Sequence, residues 1–315
     1  MKDTSTSLFR RKICLKDKVL HAKTSFLCSK KKTKGKRLTG EKATGWKGSM
    51  EERWSLPDPE RAVQWCTERN RQNIRCILAI IADYAMTPEA SALSLTSHLG
   101  GIALIGERSP GTSFSAKPSA IGILFDVRQY TRNIFLLVRE ARRLGVPFEI
   151  DMEGRPLVED TLKSAIDLAH EGEKVTLALQ AYLDRTSDDL AACINAGITV
   201  RLVKGAYLGD TNDFTLIQER FRTHAETLMN AGIPFSASTH DPEIIEWLKD
   251  KMRNRKNTIE FGFLKGLADR TKNGLSEEGW KVAEYVPFGS GGQAYYQRRE
   301  EYLKNLSRLG RFPVP

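Results

Sequence analysis

From residue 75 onward the chain repeats one pattern: a short run rich in β-branched and other apolar residues, then a longer stretch of helical character. The short runs fall at 75–81, 113–117, 147–152, 175–181, 199–203, 234–238, 259–264 and 282–287. Between them, segments such as 127–144, 159–170, 213–229, 242–251 and 276–282 read as helices. Eight strands alternating with helices over about 240 residues have the size and rhythm of a (β/α)8 TIM-like barrel. A doubly wound open sheet is the rival architecture. Turn chemistry supports the segmentation: Gly145, Gly197 and Gly232 each follow a helical stretch and directly precede a strand, where a left-handed helix stop is expected.

Charge divides the chain in two. Residues 1–50 hold 15 Lys+Arg against 3 Asp+Glu, a net of +12; the whole chain holds 49 against 39, so the rest holds 34 against 36, a net of −2. The basic character, densest at Lys30-Lys31-Lys32, Lys34, Lys36 and Arg37, belongs to a tail without apolar periodicity. Such a tail reads as disordered. We expect residues 1–49 to be an extension without catalytic work and 50–315 to be the folded domain. A targeting peptide and an arm for anionic lipid or nucleic acid are the competing readings. No run approaches the roughly eighteen apolar residues of a membrane span. The five cysteines (14, 28, 66, 76 and 193) are odd in number and lack a CxxC pair, which implies neither a zinc site nor a disulfide framework. A reducing cytoplasm is the expected setting.

In a barrel of this kind the C-terminal ends of the strands face the active site. Read in order, those ends carry Lys117; Asp151 and Glu153; Gln180 and Tyr182; Arg201, Lys204 and Tyr207; Thr239-His240-Asp241; and Tyr285. Each has a plain reading too: Lys117 can snorkel to solvent, and Asp151 can cap a helix. Arg201 alternates with apolar neighbours, so its burial requires a partner. His240 without Cys or further His neighbours is a poor metal ligand, and no metal is expected. Near the end, if Gln293–Arg308 is helical, Tyr295, Arg298, Arg299 and Tyr302 share one face. Paired guanidiniums beside tyrosines can fork onto a carboxylate. Gly289-Ser290-Gly291-Gly292 is not a dinucleotide fingerprint, since it lies late and opens no βαβ unit.

At these residues the sequence resembles the proline dehydrogenase family of flavoenzymes. The resemblance is carried by Phe114-Ser115-Ala116-Lys117, Ile150-Asp151-Met152-Glu153-Gly154, Leu179-Gln180-Ala181-Tyr182, Arg201-Leu202-Val203-Lys204-Gly205-Ala206-Tyr207, Ser238-Thr239-His240, Glu260-Phe261, and Tyr285-Val286-Pro287 with Tyr295-x-x-Arg298-Arg299. It implies a distorted barrel that binds FAD without a Rossmann module, with the last helix over the barrel mouth. It implies that Lys117, Arg298 and Arg299 hold a proline carboxylate, and that Tyr207, Ala206, Leu264, Tyr285 and Tyr295 shape the ring pocket. Gln180, Arg201, Val203, Lys204, Thr239 and His240 would contact the flavin, with Arg201 near its N5. Asp151 would orient its neighbours, and Arg201, Asp151 and Tyr285 form the catalytic group. Asp83 would gate the site by pairing with Arg298, and Leu208 stands where the family commonly stacks an aromatic on adenine, which leaves FMN as the alternative to FAD.

The expected activity is therefore flavin-dependent oxidation of L-proline to 1-pyrroline-5-carboxylate, the first step of proline catabolism. Electrons would pass to a quinone or other acceptor, at a membrane surface in one version, and a separate 1-pyrroline-5-carboxylate dehydrogenase would follow. Hydroxyproline is the near rival as substrate, disfavoured by the bulk of Tyr285. A Schiff-base aldolase using Lys204 or Lys117 is the rival from another class. A nucleic-acid-binding protein acting through the tail is the non-enzymatic rival; no nucleic-acid partner is expected of the domain.

Overall fold

The eight apolar runs form the eight strands of a closed parallel barrel: β1 (Ile74–Ile80), β2 (Ser113–Ala116), β3 (Phe148–Ile150), β4 (Val175–Gln180), β5 (Thr199–Val203), β6 (Phe235–Ser238), β7 (Ile259–Leu264) and β8 (Lys281–Phe288). This is a computed structural model, and it describes residues 53–308 apart from 83 and 208. The basic extension at 1–49 and the readings of Asp83 and Leu208 lie outside the described residues. Strands pair in chain order, and β8 closes the ring against β1 from Ile74↔Val282 to Ile80↔Phe288.

Helices connect them: α1 (Pro59–Arg71) ahead of β1, then α2 (Pro88–Arg108), α3 (Val127–Arg143), α4 (Val158–His170), α5 (Thr186–Ala196), α6 (Phe214–Ala231), α7 (Pro242–Met252), α8 (Asp269–Glu277) and, after β8, α9 (Gln293–Arg308). Three begin the same way. Asp58, Thr87 and Asp241 each cap a helix whose first residue is proline, with oxygens accepting from Arg61 N at 2.8 Å, Ala90 N at 3.3 Å and Glu243 N at 3.0 Å. Proline fixes the helical φ and lacks the N–H that would go unused there, while the cap satisfies a neighbour's. Gly145, Gly197 and Gly232 take the expected left-handed turn at φ of 68°, 71° and 69°. The stretch 276–282 departs from its helical reading. Helix α8 ends at Glu277, and Trp280 packs edge-on to Phe261 at 5.4 Å as the chain enters β8.

The large core lies between strands and helices, with Leu78, Phe114, Ile150, Leu177, Leu202, Phe261 and Val286 pointing outward into it. Inside the barrel the apolar content is small: Ile77, Ala79, Ala283 and Tyr285, with Leu264 against them. Much of the rest of the described interior is ionic, which is costly unless charges pair.

Candidate active site

Residues two apart on a strand share a face. The alternate acids Glu149, Asp151 and Glu153 therefore point inward from β3 and its extension, as Ser113, Ser115 and Lys117 do from β2. The two sets meet. Ser113 Oγ donates to Glu149 at 2.8 Å, and Ser115 Oγ to Asp151 at 2.8 Å. An ion ladder climbs the barrel from there: Arg75 bonds Glu260 at 2.6 Å and Glu149 at 3.0 Å, and Arg201 lies 2.9 Å from Glu149 and 2.6 Å from Asp151. At its top, Asp151 Oδ2 accepts from Lys117 Nζ at 2.5 Å and from the Tyr285 hydroxyl at 2.5 Å, while Lys117 also donates to the Tyr285 oxygen at 2.7 Å.

Asp151 is thus met by one donor at each of its roughly four acceptor positions. Burial alone would raise its pKa, but Lys117 and Arg201 outweigh it and hold the carboxyl well below the usual range. Burial works against the charge on Lys117, yet Asp151, Tyr285 and Tyr207 hold its ammonium well above the ordinary value. A lysine kept charged in this way is a poor amine nucleophile, which speaks against a Schiff base at Lys117. Lys204 is paired with Asp241 at 2.6 Å, over the ring of Phe214.

Above this network a cavity of about 110 Å³ opens between the ends of β1, β2 and β8 and helix α9. Its β1 wall (79–82) is apolar; its chemistry comes from Lys117, Ser119, Glu153, Tyr285, Tyr295 and Arg298. Lys117, Tyr285, Tyr295 and Arg298, drawn from chain positions 117 to 298, are brought to one cavity as expected. Leu264 packs beside Tyr285. Tyr207 stands just behind, its ring 4.8 Å from the Arg298 guanidinium.

Two expected pocket residues are placed differently. Ala206 is exposed and does not line the cavity, because the backbone turns at Gly205, with φ of 135°. A Cβ there would sit 1.7 Å from the Tyr182 ring, so glycine is required for that tyrosine to pass beneath. Arg299 is buried away from the cavity. Successive helix residues diverge by about 100°, so Arg298 reaches the cavity while Arg299 turns toward Trp54 (5.8 Å), donating one Nη to Lys265 O at 2.9 Å. Among the described residues its Nε and other Nη have no hydrogen-bond partner within geometric limits, and its guanidinium lies 5.5 Å from the Tyr295 ring.

The residues expected to meet a cofactor lie across the mouth, on β4 to β6. Gln180 donates to Glu153 O at 2.9 Å and accepts from Tyr182 at 2.8 Å. Val203 offers its carbonyl to Ala181 N at 2.8 Å, and Thr239 Oγ accepts from Asp241 N at 3.1 Å. His240 Nε2 accepts from Leu264 N at 3.1 Å, which leaves Nδ1 to donate to Tyr302 at 3.1 Å. Burial first, then Arg299, Lys272 and Lys204, keep His240 neutral by holding its pKa well below the ordinary value. Below this half of the mouth Ser236 Oγ, register neighbour of the inward-facing Arg201, is buried with no hydrogen-bond partner among the described residues, an unspent donor that would suit the acceptor atoms of a flavin ring. Among the described residues no group of three His, Cys, Asp or Glu is arranged to hold a metal ion.

A family model, proline dehydrogenase, matches residues 62–308, most of the chain. The chain belongs to the proline dehydrogenase family. Among its relatives, proline dehydrogenase 1 of Bacillus subtilis is 25% identical over 247 residues, 76% of this chain and 82% of that protein. Proline dehydrogenase of Deinococcus radiodurans is 30% identical over 172 residues, 52% of this chain and 56% of that one. Among solved structures, proline utilization A from Bdellovibrio bacteriovorus inactivated by N-propargylglycine superimposes with a TM-score of 0.72 at 17% identity; 79% of this chain is covered, and it spans 32% of that longer one.

Ser119 and Trp54 went unread in the sequence of this family member, and Glu153 was read at a strand end without a role. Glu153 had a signal, since it continues the inward acid alternation of Glu149 and Asp151. Ser119 had none, because it follows Pro118 in a 3-10 turn whose path only the fold defines.

Proposed function

We propose that the chain oxidises L-proline to 1-pyrroline-5-carboxylate with a flavin, FAD in the first instance, as the first step of proline catabolism. The observation that carries this reading is the cavity in which Lys117 and Arg298 meet Tyr285, Tyr295 and an apolar wall: two cations for a carboxylate and a small lined space for a ring. Lys117 and Arg298 bind the carboxylate, and Arg299, buried behind, supports the helix that carries Arg298. Tyr285, Tyr295 and Leu264 orient the ring, with Tyr207 closing one side.

Asp151 positions Lys117, Tyr285 and Arg201 at once, so the reacting carbon is presented in a fixed orientation. Gln180, Arg201, Val203, Lys204, Thr239 and His240 would hold the flavin, which when bound supplies the hydride acceptor. Arg201, charged and buried, favours extra negative charge nearby. The apolar wall and α9 exclude water. A quinone or other acceptor would take the electrons, a separate dehydrogenase would consume the product, and the buried free thiols Cys66, Cys76 and Cys193 suit a reducing cytoplasm. No helix among the described residues is long and apolar enough to cross a membrane.

The test is a visible spectrum of purified protein before and after anaerobic L-proline. The expected result is a yellow protein bleached by proline and less readily by hydroxyproline; a colourless protein that refuses flavin overturns the reading.

A further inference from the structure

Among the described residues that line the cavity, Lys117, Arg298 and Glu153 carry charge: two cations and one carboxylate. Glu153 is buried yet borders that space, and it is held in place. Ser119 N donates to one oxygen at 2.7 Å; Ser119 Oγ at 2.8 Å and the Tyr207 hydroxyl at 3.2 Å donate to the other. A carboxylate has about four acceptor positions. Asp151, facing the same network, has a donor for each of its own, whereas the three donors that Glu153 has among the described residues leave room for one more. The ring of Tyr207 links the two signs of charge, with Arg298 over its face at 4.8 Å and Glu153 at its hydroxyl. Opposite charges therefore stand a ring's width apart at the edge of one small cavity.

We propose that Glu153 receives the secondary ammonium of the substrate, so that the cavity recognises a cyclic amino-acid zwitterion and not merely a carboxylate. The inference rests on the proline reading above and deepens it: Lys117 and Arg298 take one end of the molecule, Glu153 the other. Ser119 is the positioning residue, because its N–H and hydroxyl fix the carboxylate on the turn that follows Lys117. A ring carboxylate without the nitrogen meets only the cations. A primary amine on an open chain lacks the ring that the apolar wall accommodates.

The experiment compares Glu153→Gln with wild type, using the KM for L-proline and the inhibition constant of cyclopentanecarboxylate, which keeps the ring and the acid and lacks the nitrogen. The expected result is a proline KM raised by about 10- to 100-fold, in keeping with loss of a charged hydrogen bond, and an inhibition constant within about twofold of wild type. Neither constant depends on how much of the protein is folded, so a partly unfolded variant does not distort the comparison. Ser119→Ala, which keeps the charge, should shift the ratio in the same direction by a smaller factor. An unchanged proline KM overturns the inference, and so does an equal rise in both constants, since Glu153 would then only hold up the turn. Wild-type protein that binds neither compound overturns the proline reading itself, which is a different outcome from wild-type turnover with an indifferent Glu153→Gln.

Discussion

Arg298 enters the cavity from a helix that is otherwise held elsewhere, so its removal should be felt by the substrate and not by the fold. Arg298→Ala is expected to raise the KM for proline by about 10- to 100-fold, the scale of a lost charged hydrogen bond, with flavin content unchanged. Unaltered kinetics would discredit the cation as a ligand. Asp151 is the opposite case, because four donors converge on it. Asp151→Asn should lower kcat as well, since Lys117, Arg201 and Tyr285 lose their common partner together. A change confined to KM would show that it serves binding alone. Titration sets a further expectation. In Asp151, Asp241 and Glu284, burial is outweighed by basic partners and the pKa values lie below the ordinary range. These groups stabilise the fold above about pH 4, and that stabilisation is lost as the pH falls through their lowered native values. Burial brings Lys265 down to about 8, with Glu284 opposing. Between about pH 8 and 10 the unfolded chain then binds a proton that the native one does not, so stability rises with pH there. Denaturant midpoints across that range should show an upward slope in wild type and a flatter one in Lys265→Met.

At the scale of elements, contacts to different parts of the molecule hold α9 over the mouth, side-chain hydrogen bonds among them. Tyr302 pairs with His240 at 3.1 Å, Arg299 with Lys265 O, and Tyr296 with Ser55 Oγ at 2.8 Å. The last comes from a segment ahead of α1 that also bridges Leu56 to Phe288 at the end of β8. Residues 53–56 lie before the family match and still brace the helix that carries Arg298. Removing residues 1–49 is therefore expected to leave proline kinetics intact. Removing 1–57 should raise KM and expose α9 to proteolysis, and equal kinetics in the two truncations would deny this segment its role. Helices α1, α2 and α5 were not among the segments named from the sequence, and α2 shows why a helix can escape. Its stripe is interrupted by buried Ser91 and His98 and by Gly100-Gly101, and a Cβ at Gly101 would come within 2.6 Å of the Phe114 ring. Close packing of helix on strand replaced the apolar periodicity that sequence reading relies on.

Across the whole molecule, polar groups are buried on both sides of the sheet. Outside the barrel, Lys272 and Glu284 are fully buried as a pair, with Arg69 2.8 Å from the same carboxylate, joining α1, α8 and β8. Lys272→Met should cost roughly 3–5 kcal/mol, the usual penalty for breaking a buried pair from one side; a melting temperature within a degree of wild type would contradict this. Inside, the ladder from Arg75 to Lys117 is balanced, three cations (Arg75, Arg201, Lys117) against three carboxylates (Glu260, Glu149, Asp151). By itself the sequence determined the alternation of strand and helix, the glycine stops and which strand ends are polar, because each depends on residues close together in the chain. It also placed Glu149, Asp151 and Glu153 on one face through the two-residue period of a strand. Only the tertiary structure decided that Arg298 reaches the cavity while Arg299 turns behind it, that Ala206 stays outside, and that Ser119 steadies Glu153. Those outcomes depend on how distant segments pack when the ring of strands closes, and no local pattern encodes the direction of a side chain relative to a neighbour a hundred residues away.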